Sequence, residues 1–355
     1  MTARAPGPGL WLHAVGVTSP LGDSAPATAA AVRAGISRRH RSDQRNRQGE
    51  PMIVSSVPDA ALPPLADALA DRPAHHRRLL ALATHALREA AAPLADTISV
   101  PLLLALPEPH PRVPREPPDH DILADLQLQT GAPLSLASSR SLTTGRAGPL
   151  YALTDALALT ADPTIPGVLV GGVDSYLEHD LLAALDRDRR VLAAGRRDGF
   201  APGEGAGFLL LSRRRVLATS HARLFLHAPG TGEEPGHHHS DEPHRGDGLS
   251  AAIAAATHHA APAEISAVFA GLNGEHYGAR EWQVAALRSS AAFAPRCTLE
   301  HPVDCLGDPG AALAPTLIAL AAVALQRGHH SGPILVWSAS DGPARGAVVL
   351  RRVED

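Results

Sequence analysis

Arg197-Asp198-Gly199-Phe200-Ala201-Pro202-Gly203-Glu204-Gly205-Ala206-Gly207 runs directly into the apolar stretch 208–211. Three glycines at alternate positions raise the question of a phosphate loop. Such a loop needs a strand before it and a helix after it. Here an apolar strand follows, so the glycines read as a tight loop where backbones approach closely.

Working outward, short apolar runs at 11–17, 100–106, 168–171, 207–211, 223–227, 267–271, 334–337 and 347–350 read as buried strands. Between most of them lie Ala/Leu-rich stretches of helical length, at 25–34, 78–92, 122–129, 147–160, 249–258, 280–291 and 311–326. Strands alternating with helices predict an α/β layered fold with largely buried sheets. Residues 107–118 hold six prolines and read as an extended loop. Residues 230–248, rich in glycine and acid and carrying His237, His238, His239 and His244, read as a surface loop. Both halves run strand–helix–strand and end in a pair of strand-like segments. A duplicated architecture is expected, with halves 1–215 and 216–355 meeting near residues 213–222.

Composition narrows the function. The 355 residues are 45% hydrophobic with formal charge −4, enough for a full buried core and without a basic excess for nucleic acid. All 32 basic residues are arginine, so Schiff-base and pyridoxal-phosphate lysine chemistry is excluded. Aromatics are 3%, too few for base-stacking platforms. Two cysteines, Cys297 and Cys305, make neither a disulfide framework nor a four-ligand zinc site. Residues 1–22 hold one arginine, scattered prolines and no sustained apolar region, which is not a targeting signal. The longest apolar run, 311–325, is short for a membrane span and contains Pro315, so a buried helix is expected. The expectation is a soluble cytoplasmic protein that contacts neither membrane nor nucleic acid.

Four segments are more specific. They are Val15-Gly16-Val17-Thr18-Ser19-Pro20-Leu21-Gly22, Gly171-Gly172-Val173-Asp174-Ser175, the glycine string above, and Gly307-Asp308-Pro309-Gly310-Ala311-Ala312. Together, and in this order, they resemble the β-ketoacyl synthases (3-oxoacyl-acyl-carrier-protein synthases) of the thiolase superfamily. The resemblance spans essentially the whole chain, and the glycine string carries most of it. It implies a thiolase-like fold, with two related α/β halves in a five-layer αβαβα arrangement, and a dimer.

The catalytic positions depart from that family. A ketosynthase needs a cysteine at the N-terminal end of a helix, commonly three residues before a glycine, to take the acyl group from a thioester. The matching stretch is Ser141-Leu142-Thr143-Thr144-Gly145, which puts Leu142 at the cysteine position. Two histidines stabilise the enolate and oxyanion of decarboxylation. Their matching stretches, Gly271-Leu272-Asn273-Gly274-Glu275 and Gly307-Asp308, put Asn273 and Asp308 there, and Val303 stands where a lysine is usual. Asn273 retains a donor, but the Asp308 carboxylate offers acceptors where donors are needed. The terminal glycine-rich loop of the family is also altered, reading Trp337-Ser338-Ala339-Ser340-Asp341-Gly342-Pro343-Ala344-Arg345.

Other residues offer less. Cys305 and His276 flank the altered positions and are the first candidates for a rearranged site, with His301 near; the plainer reading is a small buried cysteine and loop histidines. Ser141, Thr143 and Thr144 lack an identifiable base and read as helix caps. Three adjacent histidines at 237–239, with His244, cannot all face one ion without an unusual backbone, so no metal is expected, and no cofactor. The runs 187–190 and 213–215 read as solvated faces, or as a basic patch for an acidic carrier protein. The resemblance therefore implies a catalytically degenerate, non-catalytic partner or scaffold. It would form a homodimer, or a heterodimer with a ketosynthase-like paralogue. It would serve an acyl carrier protein and an acyl-chain synthase, or act as an adaptor such as for a bacterial secretion effector. The enzymatic alternative is an acyltransferase of the same superfamily with a rearranged site.

Overall fold

The computed structural model describes residues 7–95, 98–113, 121–196, 198–261 and 264–354. Arg197 of the glycine string and part of the proline-rich stretch lie outside them. Strand β1 (Gly9–Thr18) turns into helix α1 (Ala25–Arg33), which the Ser24 hydroxyl caps by accepting from Ala27 N. A hairpin of β2 (His40–Arg45) and β3 (Pro51–Val54) precedes α2 (Ala74–Ala91). Then come β4 (Leu102–Ala105), α3 (Ile122–Thr130), β5 (Arg140–Leu142), α4 (Gly148–Leu159), β6 (Val168–Ser175), α5 (His179–Arg187) and β7 (Glu204–Ser212). A small hairpin, β8 (Val216–Leu217) with β9 (Ser220–His221), leads to β10 (Leu224–His227), β11 (Gly230–Glu233) and α6 (Asp247–Ala260). The chain finishes with β12 (Ile265–Ala270), α7 (His276–Arg288), β13 (Phe293–Glu300), α8 (Val303–Leu306), α9 (Leu313–Gln326), β14 (Ile334–Ala339) and β15 (Ala344–Arg352).

Two five-strand runs have the same connectivity. One is β1-β7-β6-β4-β5 and the other is β10-β15-β14-β12-β13. In each, the first two pairings are antiparallel and the last two parallel. The runs join where the start of β1 pairs with β10, Gly9 opposite His227, while the rest of β1 lies along β7. The two runs therefore form one hydrogen-bonded path.

Helices α4 and α9 lie between the two runs and touch strands of both; α2 covers the outer face of the first, and α6 that of the second. The result is five layers, as the sequence reading expects. Central position explains the sequence of α9, LAPTLIALAAVALQ, in which every residue from Leu313 to Leu325 is buried. A helix that is apolar all round has no solvent face. Strands β6 and β7 are likewise buried at every residue, because helices cover both their faces. Gly205 and Gly207 lie within β7, not in a loop. A Cβ on Gly207 would stand 3.0 Å from the amide nitrogen of Thr316 in α9, so the close approach is between strand and central helix.

Several local readings need correction. β11 lies inside the expected loop 230–248 and pairs with β15. β13 was unread because FAPRCTLE is half-exposed at the sheet edge and carries a proline and charges. α5 was missed because its charged face masked Leu181, Leu182 and Leu185, which are buried. The helix expected at 280–291 begins earlier, at His276. Among the described residues, no helix is long and apolar enough to cross a membrane.

Candidate functional site

The site forms where the two halves present equivalent turns. After β5, Gly145 opens a 3-10 turn (Gly145–Ala147) that feeds α4; after α8, Gly310 opens another (Gly310–Ala312) that feeds α9. Both glycines have positive φ, 64° and 56°, and the turns touch. That backbone region is disfavoured for residues with a Cβ. Space adds to the restriction: a Cβ on Gly145 would stand 2.8 Å from Cβ of Glu108, and one on Gly310 2.1 Å from Oδ2 of Asp174.

Arg146, the residue after Gly145, is buried beside these turns. Its Nε donates to Asp308 Oδ2 at 2.8 Å, and its Nη1 donates to Asp341 Oδ1 at 2.6 Å. Arg190 continues the network, donating from Nη1 to Asp341 Oδ2 at 2.6 Å and as a fork to Glu275 at 2.7 and 2.9 Å. Asn273 closes the ring, its Nδ2 donating to Glu275 Oε2 at 2.9 Å and Asp308 Oδ2 at 3.0 Å. Asp308 also accepts from Gly310 N, and its main chain bonds to Ala201 and Gly203 of the glycine string. That string therefore matters as a backbone bracket for Asp308.

Electrostatics follow from burial and pairing. Burial opposes charge on Arg146, but the carboxylates of Asp308 and Asp341 outweigh it and raise its pKa further. Burial likewise opposes ionisation of Asp341, yet Arg146 and Arg190 hold its carboxyl well below the usual range. Glu275 is shifted down, Arg190 overcoming its desolvation. Glu108 behaves differently. It accepts from the backbone of Asp341 and Gly342, at 2.9 and 2.8 Å, but has no arginine fork. Burial and the neighbouring Asp341 push its pKa up to about 7.

Over the network lies a cleft of about 790 Å³ lined by His110, Arg112, Arg190, His238, Glu275 and Tyr277 among others. Burial and Arg190 lower the His238 pKa to about 4, so it is a neutral imidazole at pH 7. It packs on the Tyr277 ring at 4.0 Å between centroids.

Of the residues that the sequence singles out, Asn273 and Asp308 meet in this network. Leu142 does not: its side chain packs on the central apolar core and against the start of α4. Cys305 and His276 are apart. His276 heads α7, 72% exposed in its side chain and 3.3 Å from Asp198. Cys305 is half-buried in a separate cleft between α1 and α9. Burial first, then Asp304, raises its thiol pKa, the opposite of an activated nucleophile. The run 187–190 is not wholly a solvated face, since Arg190 is buried in the network. Ser141, Thr143 and Thr144 do not cap the 3-10 turn or α4; Ser340 Oγ accepts from Ala147 N there at 2.9 Å. Sequence reasoning missed Arg146, Arg190, Glu275, Asp341 and Glu108. Single charges beside glycine and buried strands were the available signal.

Comparison with known proteins rests on shape. No protein-family model matches the chain, and no curated protein matches it in sequence. Solved structures do match. One is a ketosynthase in complex with its chain length factor from Xenorhabdus doucetiae. It is 16% identical with TM-score 0.78, over 99% of this chain and 100% of that one. The chain has the thiolase-like fold of the ketosynthases. The ishigamide ketosynthase/chain length factor is 17% identical with TM-score 0.73, over 98% of this chain and all of that one. A Streptomyces albus oxazolomycin ketosynthase domain is 13% identical with TM-score 0.78, over 98% of this chain and 75% of that one.

Proposed function

We propose that this ketosynthase-fold chain is a non-catalytic subunit that acts in the cytoplasm as the partner of a cysteine-bearing ketosynthase and its acyl carrier protein. The observation that carries the reading is the Arg146–Asp308–Asn273–Glu275–Arg190–Asp341 network. It fills the end of the fold where the two central helices begin, with mutually paired charges and no nucleophile. A buried arginine–carboxylate ring of this kind resists opening, because separating its members strands a charge. Its bonded donors are committed to carboxylates; Arg146 Nη2 alone in the ring is buried without a hydrogen-bond partner among the described residues.

Within this reading the nucleophile position is Gly145, not Leu142. The same three-residue spacing then runs to Gly148, and Gly145 lies on the strand-to-helix turn beside the network. Neighbours of this fold include a ketosynthase solved with its chain length factor and a ketosynthase with an acyl-carrier protein. Those titles support the choice of partner. The outer edge of β5, which pairs only with β4 among the described residues, is open to a partner strand.

The test is purification of the tagged chain from its native host with mass identification of what it retains. Recovery of a cysteine-bearing ketosynthase at near one-to-one ratio is expected. Recovery of a secreted effector instead would make the chain an adaptor. Condensation by the chain alone would overturn the reading in favour of an acyltransferase.

A further inference from the structure

Behind the cleft a second group of side chains converges. Glu281 in α7, Glu234 just after β11, and His244 from the following loop place one ligand atom each within 4.8 Å of one another. Glu234 and Glu281 are essentially inaccessible, and His244 is half-buried. Glu281 spends one oxygen on Arg345, accepting from Nε at 2.5 Å. Its other oxygen, Oε2, is buried and has no hydrogen-bond partner among the described residues, nor has Nε2 of His244. These two atoms face each other at 3.8 Å, too far for a hydrogen bond. Glu234 accepts from the backbone of Arg245 and Gly248, at 3.2 and 3.0 Å, which fixes its orientation and leaves lone pairs over.

Two carboxylates against one arginine leave a net negative charge in a closed place, next to the His244 imidazole. We infer that Glu234, His244 and Glu281 bind a divalent transition metal, zinc being the best match to one imidazole and two carboxylates. Zinc bonds of about 2.0–2.2 Å set tetrahedral ligand atoms about 3.4 Å apart, so the His244–Glu281 pair at 3.8 Å would close by a few tenths of an ångström and Glu234 would shift inward by up to about an ångström. Water would supply the fourth ligand. The ion would satisfy both orphaned atoms and balance the charge.

The position suggests what the metal does. The Tyr277 ring lies between His244, stacked at 3.9 Å, and His238, and its hydroxyl donates to Gly236 O at 2.6 Å. A metal on His244 would therefore fasten residues 234–246 to α7 and hold His238 over Glu275 and Arg190. The role is structural, and it is independent of whether the network above is non-catalytic.

The experiment uses the full chain, stripped with chelator and titrated with Co²⁺ alone, read by visible absorption and displaced by Zn²⁺. One equivalent per chain is expected, with affinity falling at least tenfold in His244→Ala and in Glu281→Gln. The double variant His237→Ala/His239→Ala should keep wild-type binding. Absence of stoichiometric Co²⁺, or loss of binding in the 237/239 variant with retention in His244→Ala, would overturn the site. Should the site variants fail to fold, limited proteolysis of the wild type decides. Zn²⁺ but not Mg²⁺ should protect residues 234–246, and no protection would equally overturn the inference.

Discussion

Arg146 Nε and Asp308 Oδ2 meet at 2.8 Å although 162 positions separate them, with side chains 5% and 0% exposed. Each lies at the head of a central helix, one from each half of the molecule. The ion pair thus joins the halves at the place where their turns touch.

Removing the cation should be severe. Arg146→Met leaves Asp308 and Asp341 buried with one partner fewer each, a loss of about 3–5 kcal/mol. Arg146→Lys should rescue little, because Nε and Nη1 serve two different carboxylates and an ammonium has no such fork. Urea unfolding of the three proteins at pH 7 measures this. A loss below 1 kcal/mol for the methionine variant would contradict the network.

Glu108 gives stability a pH slope of definite sign. Its folded pKa of about 7 lies above the ordinary carboxylate value of 4.5. Between these values the native state keeps a proton that the unfolded chain has lost. Stability therefore falls as pH rises from 4.5 through 7, by on the order of 3 kcal/mol. Glu108→Gln should flatten that part of the profile. His238 acts on the acid side: with its folded pKa lowered to about 4, stability falls as pH drops from 6.5 towards 4. Denaturant midpoints at pH 4.5, 5.5, 6.5 and 8 for wild type, Glu108→Gln and His238→Phe separate the two.

Gly145→Ala combines backbone strain of about 1–3 kcal/mol with displacement of Glu108. Gly131, which ends α3 at φ 70° with nothing within 4 Å of a would-be Cβ, supplies the comparison. Gly131→Ala should cost about 1 kcal/mol. Thermal midpoints should drop clearly further for position 145, and equal drops would mean that Glu108 exerts no steric control there.

The thiols should be sluggish. Burial raises the pKa of Cys297, and burial with Asp304 that of Cys305. Alkylation by iodoacetamide at pH 7.5 should be slower than for a free cysteine. Intact mass after incubation with an acyl thioester should show no adduct on wild type or Cys305→Ala. An adduct that disappears in Cys305→Ala would revive the rearranged site.

The fold was legible where burial is complete. Strands such as Val168–Ser175 and the helix Leu313–Gln326 are apolar throughout because neighbours cover every face, and such runs stand out from any surroundings. Elements at the rim, β13 and α5, carry charges that dilute periodicity. The site was legible in Asn273 and Asp308, which follow recognisable glycine-bearing segments. Arg146 and Arg190 were not, since an arginine earns a buried place only through partners distant in sequence. Asp341 is 151 positions from Arg190 and 195 from Arg146. Leu142 shows the same difficulty in small: two glycines, Gly145 and Gly148, stand three residues apart, and the letters do not tell that Gly145 takes the positive φ of the 3-10 turn while Gly148 begins α4.

β1 is held along one edge by β7 and, at its start, along the other by β10. Neither half can melt without tearing strand pairs from the other, so the molecule should lose its structure in one cooperative transition, not in two. Its first strand also has to wait for a partner more than 200 residues later in the chain, Gly9 for His227. Such long-range pairing slows folding, and a nascent chain that has emerged only as far as Ser212 still exposes half an edge to whatever strand is nearest.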